Sequence, residues 1–114
     1  MVTREEMKEA LAERHGRKTQ EILARSGAAI AGLGGLGSNI AFSLARTGIG
    51  YLHLIDFDRV DITNLNRQQY FIHQIGMEKT EALKENLLQI NPYLEIRTDC
   101  VKVEEGNIRR LLAE

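Results

Sequence analysis

Two cations, Arg67 and Lys79, share a short polar stretch with the carboxylates Asp56 and Asp58 and the amides Asn64 and Gln68. Upstream of them lies a glycine-rich run, Gly32-Leu33-Gly34-Gly35-Leu36-Gly37-Ser38. These residue types suit the handling of a phosphate ester. An arginine forks onto phosphate oxygens, and a lysine sits on them as a point charge. Asn64 and Gln68 can orient phosphate or a bound ion. Displacement at an α-phosphorus needs alignment and charge neutralisation more than it needs a protein nucleophile. A hydride-transfer enzyme has no need for this group of cations and amides here.

Each glycine has a separate role. Gly32 allows a tight exit from a strand, and Gly37 lets the following helix pack close to it. Gly34 and Gly35 leave backbone N–H groups open to a phosphate. The free N–H groups of the first helical turn, Leu36 among them, and the helix dipole favour an anion there. Asp56 ends the next apolar run, where its carboxylate can accept both hydroxyls of a ribose.

The elements that must position these residues are legible from apolar spacing. Thr3-Arg4-Glu5-Glu6 fits a capping box, and Met7, Ala10 and Leu11 mark one face of a helix ending near His15-Gly16. A second short helix is expected from Thr19 to Arg25. Ala28 to Leu33 reads as a buried parallel strand, short and continuously apolar. Ser38 to Thr47 reads as a helix with Ile40, Ala41, Leu44 and Ala45 inward and Gly48 as its stop. Tyr51 to Ile55 is a second strand, Met77 to Ile90 the clearest helix, and Asn91-Pro92 its end. Tyr93 to Thr98 is a third strand, and Glu104 to Ala113 a last helix. The alternation predicts an α/β fold, a Rossmann-like parallel sheet flanked by helices. About three strands make it incomplete, and N-terminal helices precede it. Residues 1–27 are expected to form a helical segment and 28–114 the N-terminal half of a nucleotide-binding domain.

Composition narrows the class. Fifteen basic residues against sixteen acidic ones give a net charge of −1 without a basic block, which argues against a nucleic-acid surface. No apolar run approaches the roughly 20 residues of a membrane span, and the N-terminus lacks a signal-peptide core. The single cysteine, Cys100, excludes an internal disulfide or a cysteine-built zinc site within these 114 residues, and a cytoplasmic setting fits. Cys100 itself reads as a small packed residue. His15, His53 and His73 are not at mutual metal-ligand spacing; His53 reads as a sheet-face residue, and no protein metal site is expected.

Gly-Leu-Gly-Gly-Leu-Gly-Ser, then Asp-Phe-Asp, then Asn-Leu-Asn-Arg-Gln, then Lys79, with Ile90-Asn91-Pro92 beyond, resembles the ThiF/MoeB/HesA family, which is related to the ubiquitin-activating enzymes. The resemblance runs from about Arg14 to the end. It implies an adenylyltransferase that uses ATP and Mg²⁺ to convert the C-terminal glycine of a small ubiquitin-like sulfur carrier, ThiS- or MoaD-like, into an acyl-adenylate. Within the family the chain looks most like the ThiF of thiamine thiazole synthesis. Residue by residue, it implies Gly35 in the phosphate turn and Asp56 on the ribose. Asp58, Asn64, Arg67, Gln68 and Lys79 then occupy the polar ATP-site positions, with Arg67 and Lys79 as the main charge stabilisers. Arg14 would match an arginine that reaches into the partner subunit of a homodimer, although Glu13-Arg14-His15-Gly16 departs from the usual Arg-Tyr-x-Arg-Gln pattern. The family's downstream magnesium-placing aspartate, paired zinc cysteines and acceptor cysteine match no position here. The chain is therefore expected to be a piece of a longer enzyme and inactive alone. An NAD-dependent dehydrogenase fragment would share the glycine turn and Asp56 without using Arg67 and Lys79. A non-catalytic binding module would keep only the scaffold.

Overall fold

The computed structural model describes residues 2–112. Helix α1, Arg4–His15, opens on the expected box: the Thr3 hydroxyl accepts the Glu6 N–H at 3.1 Å, and the Glu6 carboxylate accepts the Thr3 N–H at 3.0 Å. Gly16, at φ 89°, separates it from α2, Arg17–Ala24, which begins ahead of Thr19. Three parallel strands follow, β1 (Gly27–Ala31), β2 (Tyr51–Ile55) and β3 (Glu95–Asp99), lying side by side in chain order. Helix α3, Gly35–Thr47, connects β1 to β2, and α4, Lys79–Ile90, connects β2 to β3. The two helices pack on each other and on the strands. Their Ala41, Ala45, Leu83 and Leu87 thereby bury Ile30, Leu52 and Leu54 of the sheet. The architecture is the α/β, Rossmann-like arrangement that the alternation predicts. No helix among the described residues is long and apolar enough to cross a membrane.

Several local expectations change. β1 is an edge strand with Ala29 and Ala31 exposed; the apolar run reads as buried, yet among the described residues only the Ile30 side of the strand is covered. Helix α3 starts at Gly35 rather than Ser38, because tertiary packing at Gly37 overrides the poor helix propensity of glycine. Its buried face is Ser38, Ala41 and Ala45, and Ile40 turns outward at 41% exposure. Asn91 folds the chain after α4 into a tight turn, its side-chain oxygen accepting the Tyr93 N–H at 2.9 Å, so β3 begins at Glu95 instead of Tyr93. Cys100 is exposed, since it stands just past the end of β3 beyond the core. Helix α5 is only Ile108–Leu112; Asn107 closes a turn onto Glu104 ahead of it, and Ala113 lies outside the described residues.

The connection from β2 to α4 is held by a buried amide cluster. Gln74, 0% exposed, donates to the Ala82 carbonyl and to Asn86 Oδ1 at 2.6 Å, and accepts from the Phe71 N–H and Asn86 Nδ2. Asn86 Nδ2 also donates to the Gln69 carbonyl. Gln74→Ala strips partners from several buried groups at once, so it is expected to lower stability by about 2–3 kcal/mol. The midpoint of urea unfolding measures the change.

Candidate nucleotide site

The glycine run forms the turn between β1 and α3, at the carboxyl ends of the strands. Gly32 takes φ 91°, a conformation that favours glycine. A Cβ on Gly37 would lie 1.9 Å from the Gly32 carbonyl oxygen, so helix and strand meet closer there than any other residue permits. Gly34 and Gly35 differ. Their φ values are not positive, and a Cβ on either would find only van der Waals neighbours at 3.8–3.9 Å: Gln68 beside Gly34, Arg67 beside Gly35. Packing within the protein thus does not demand glycine at these two positions, which leaves an open approach for a ligand.

Two side chains fix the turn. Asp56, buried at the end of β2, accepts the Leu33 N–H at 2.6 Å with one oxygen and the Asp58 N–H at 2.8 Å with the other. Each oxygen keeps lone-pair capacity for a further donor. Tyr70 donates its hydroxyl to the Leu33 carbonyl at 2.6 Å. Burial, with the Asp56 charge added, pushes its phenol well above the usual tyrosine range. The loop bearing Arg67 is fastened to the start of α3. Gln69 donates its N–H to Ser38 Oγ and its side-chain amide to Asn39 Oδ1, and Asn39 Nδ2 donates to the Arg67 carbonyl. Local spacing gives no sign of Ser38 or Tyr70 in these roles, since their partners lie more than thirty positions away in the chain.

Lys79 is delivered by a backbone return. The Val60 N–H donates to Met77, and the Lys79 N–H to the Asp58 carbonyl at 3.0 Å, so α4 starts across from the end of β2. Lys79 is 6% exposed, and its ammonium lies 6.0 Å from the Tyr70 ring centre. Among the described residues it has no carboxylate within 4 Å. Buried cations are normally paired, because desolvation otherwise disfavours the charge. It lines a cleft of about 440 Å³ with Gly32, Gly34, Asp56 and Asp58 on one side and Val101, Lys102 and Val103 on the other. Phe57 completes the rim, under the Lys102 ammonium at 5.8 Å.

Arg67 and Gln68 line a second, open groove, and their side chains lie beside Gly35 and Gly34 respectively. Arg67 is exposed and makes no ion pair among the described residues. One guanidinium nitrogen donates to the Thr63 carbonyl and to Asn66 Oδ1, leaving other donors free. Gln68 is 7% exposed, and its Oε1 is buried with no hydrogen-bond partner. Asn64 acts on its own loop, where its Oδ1 accepts the Asp61 N–H and its carbonyl accepts the N–H groups of Arg67 and Gln68. Leu36 stands out at 78% exposure in the first turn of α3, and Arg14 is exposed on the last turn of α1, away from the cleft. A smaller cavity of about 120 Å³ lies between α1 and the opposite ends of the strands, without an unpaired buried cation. His53 lies on the sheet, as expected, and is paired with Asp99 at 2.6 Å.

The donor set fits a nucleotide polyphosphate. Among the described residues, glycine N–H groups without protein acceptors, a lysine without a carboxylate within 4 Å and a guanidinium with donors to spare suit anions, and the Asp56 carboxylate ends β2 as a ribose ligand would require. The family model described as the ThiF family matches residues 7–114. Over 68 residues the chain is 46% identical to ubiquitin-like modifier-activating enzyme 5 of Caenorhabditis elegans, covering 60% of this chain and 16% of that protein. It is 40% identical over 94 residues to molybdopterin-synthase adenylyltransferase of Haemophilus influenzae, covering 82% and 39%. Among solved structures, Escherichia coli tRNA N6-threonylcarbamoyladenosine dehydratase, TcdA, in complex with ATP superposes with a TM-score of 0.90 at 32% identity, covering 99% of this chain and 48% of that one. The chain therefore spans less than half the length of these relatives. With its sequence matched to the family over residues 7–114 and its fold shared over nearly every residue, this chain belongs to the ThiF family.

Proposed function

We propose that the protein carrying this chain adenylates the C-terminal carboxylate of a small ubiquitin-like sulfur carrier, ThiS- or MoaD-like, using MgATP. The observation that carries the reading is Lys79: a buried lysine on the lining of the Gly34 cleft whose ammonium has no carboxylate within 4 Å among the described residues. A triphosphate supplies the missing charge. In the reaction a carboxylate oxygen of the carrier bonds to the α-phosphorus, the bond to the bridging α,β-oxygen breaks, and pyrophosphate leaves. Negative charge grows on the phosphate oxygens, where Lys79 and Arg67 act as fixed cations. The Gly34 and Gly35 N–H groups hold the phosphates, and Asp56 orients the ribose while bracing the turn. Gln68 Oε1, buried and unpartnered, offers an acceptor to a bound donor such as a metal-coordinated water. Asp58, on the cleft wall, would offer a carboxylate to a magnesium ion's water shell, since magnesium usually keeps several waters beside one or two carboxylates.

The similarity to the molybdopterin-synthase adenylyltransferase supports a sulfur-carrier substrate, and the similarity to modifier-activating enzyme 5 supports a ubiquitin-like one. The motif resemblance to ThiF supports the thiamine branch. A second reading follows from the superposition on TcdA: activation of a carboxylate attached to a tRNA nucleoside. Carrier-dependent ATP–pyrophosphate exchange by the full-length protein tests the proposal. Exchange that requires an intact carrier C-terminal glycine supports it. Exchange with threonylcarbamoyl-tRNA and with no carrier favours the second reading, and tight NAD(H) binding without ATP binding would reject both.

A further inference from the structure

Leu33 is fully buried, and both its backbone polar groups are held by side chains distant in sequence. Asp56 takes its N–H and Tyr70 its carbonyl, each at 2.6 Å. The Leu33 carbonyl belongs to the same peptide unit as the Gly34 N–H. No described peptide bond is cis, so the two groups point in opposite directions. A hydroxyl that draws the carbonyl inward therefore turns the Gly34 N–H outward. That N–H has no protein acceptor among the described residues, and Gly34 lines the cleft that Lys79 enters.

Tyr70 is also the side chain over which the Lys79 ammonium rests. A phenylalanine would fill the same space and keep the same ring beneath the cation. The hydroxyl adds only the bond to the turn. It bonds the one carbonyl whose peptide partner is the Gly34 N–H, and not a helical carbonyl nearby.

We propose that Tyr70 is a positioning residue of the nucleotide site, its hydroxyl aiming the Gly34 N–H at a bound phosphate through the Leu33–Gly34 peptide. The inference rests on the nucleotide reading above. It predicts selective damage. Removal of the hydroxyl frees the peptide to rotate, weakening one phosphate contact and leaving recognition of the nucleoside intact.

The test is Tyr70→Phe in the full chain, with Kd measured by calorimetry for ATP and for adenosine. The expected result is an ATP Kd raised about tenfold, the scale of one hydrogen bond to a charged group, with the adenosine Kd within about twofold of wild type. Unchanged ATP affinity overturns the proposal. So does an equal fall for both ligands, which is the signature of a merely structural tyrosine. Wild-type protein that binds no ATP overturns the nucleotide reading as well, and so separates the two failures. Should the variant not fold, the Gly34 amide resonance of the wild-type protein decides: it must shift on addition of ATP and not of adenosine, and a resonance unmoved by ATP overturns the assignment.

Discussion

Lys79→Ala is expected to lower carrier-dependent ATP–pyrophosphate exchange at least ~100-fold, while leaving the melting temperature of the nucleotide-free protein at or above that of the wild type. The two halves of this expectation have one cause. Lys79 is 6% exposed as a residue; its ammonium has no carboxylate within 4 Å among the described residues, lies 6.0 Å from the Tyr70 ring centre and interacts at longer range with Asp61. Without a ligand it is a charge with no contact ion pair among the described residues, so its removal is not expected to cost the fold stability. With a triphosphate in place it meets the charge that develops as pyrophosphate departs, and a hundredfold loss corresponds to about 2.7 kcal/mol of that stabilisation. The rise in melting temperature that ATP gives the wild type should also shrink, because the variant binds the ligand more weakly. Initial-rate kinetics and differential scanning calorimetry check the two halves. A variant that melts much earlier yet keeps its exchange rate would make Lys79 a structural residue.

Arg67→Ala is expected to cost at least ~100-fold in the same exchange, with a different structural signature. Arg67 is exposed and its bonds go to its own loop, to the Thr63 carbonyl and Asn66 Oδ1, so stability should stay within about 0.5 kcal/mol of wild type. Its side chain runs past Gly35, with Cγ 3.8 Å from where a Cβ would stand there, and it lines a groove different from the cleft that Lys79 lines. Arg67→Lys should restore only a small part of the activity, because an ammonium lacks the planar fork that engages two phosphate oxygens. Full rescue by lysine would mean that Arg67 acts as a point charge alone. An unaffected alanine variant would remove it from the site.

Much of this site is legible in the sequence because its elements are local. The Thr3–Glu6 cap, the Gly48 stop and the Asn91 end of α4 depend on neighbours within a few residues. Gly32 and Gly37 follow from the geometry of a strand turning into a helix. The ties that make the turn rigid are not legible. Asp56 to Leu33 and Tyr70 to Leu33 span 23 and 37 positions, and no short-range pattern encodes such contacts. Asn64 shows the opposite limit. A polar residue in this motif reads as a ligand of phosphate or a bound ion, and its side-chain oxygen also caps the turn that presents Arg67 and Gln68. Cys100 reads as buried from the average preference of its residue type and Ile40 from apolar spacing along its helix, whereas the end of β3 and the rotation of α3 place them outside the core.

If the proposed chemistry holds, this cleft passes the adenylyl group of ATP to a carrier carboxylate. Intact-mass analysis of the carrier, after incubation with the full-length protein and MgATP, observes that transfer itself. A carrier species heavier by one adenylyl group is expected, lost on treatment with hydroxylamine, with pyrophosphate released in step. ATP turned over to ADP and orthophosphate, with the carrier unmodified, would contradict adenylation.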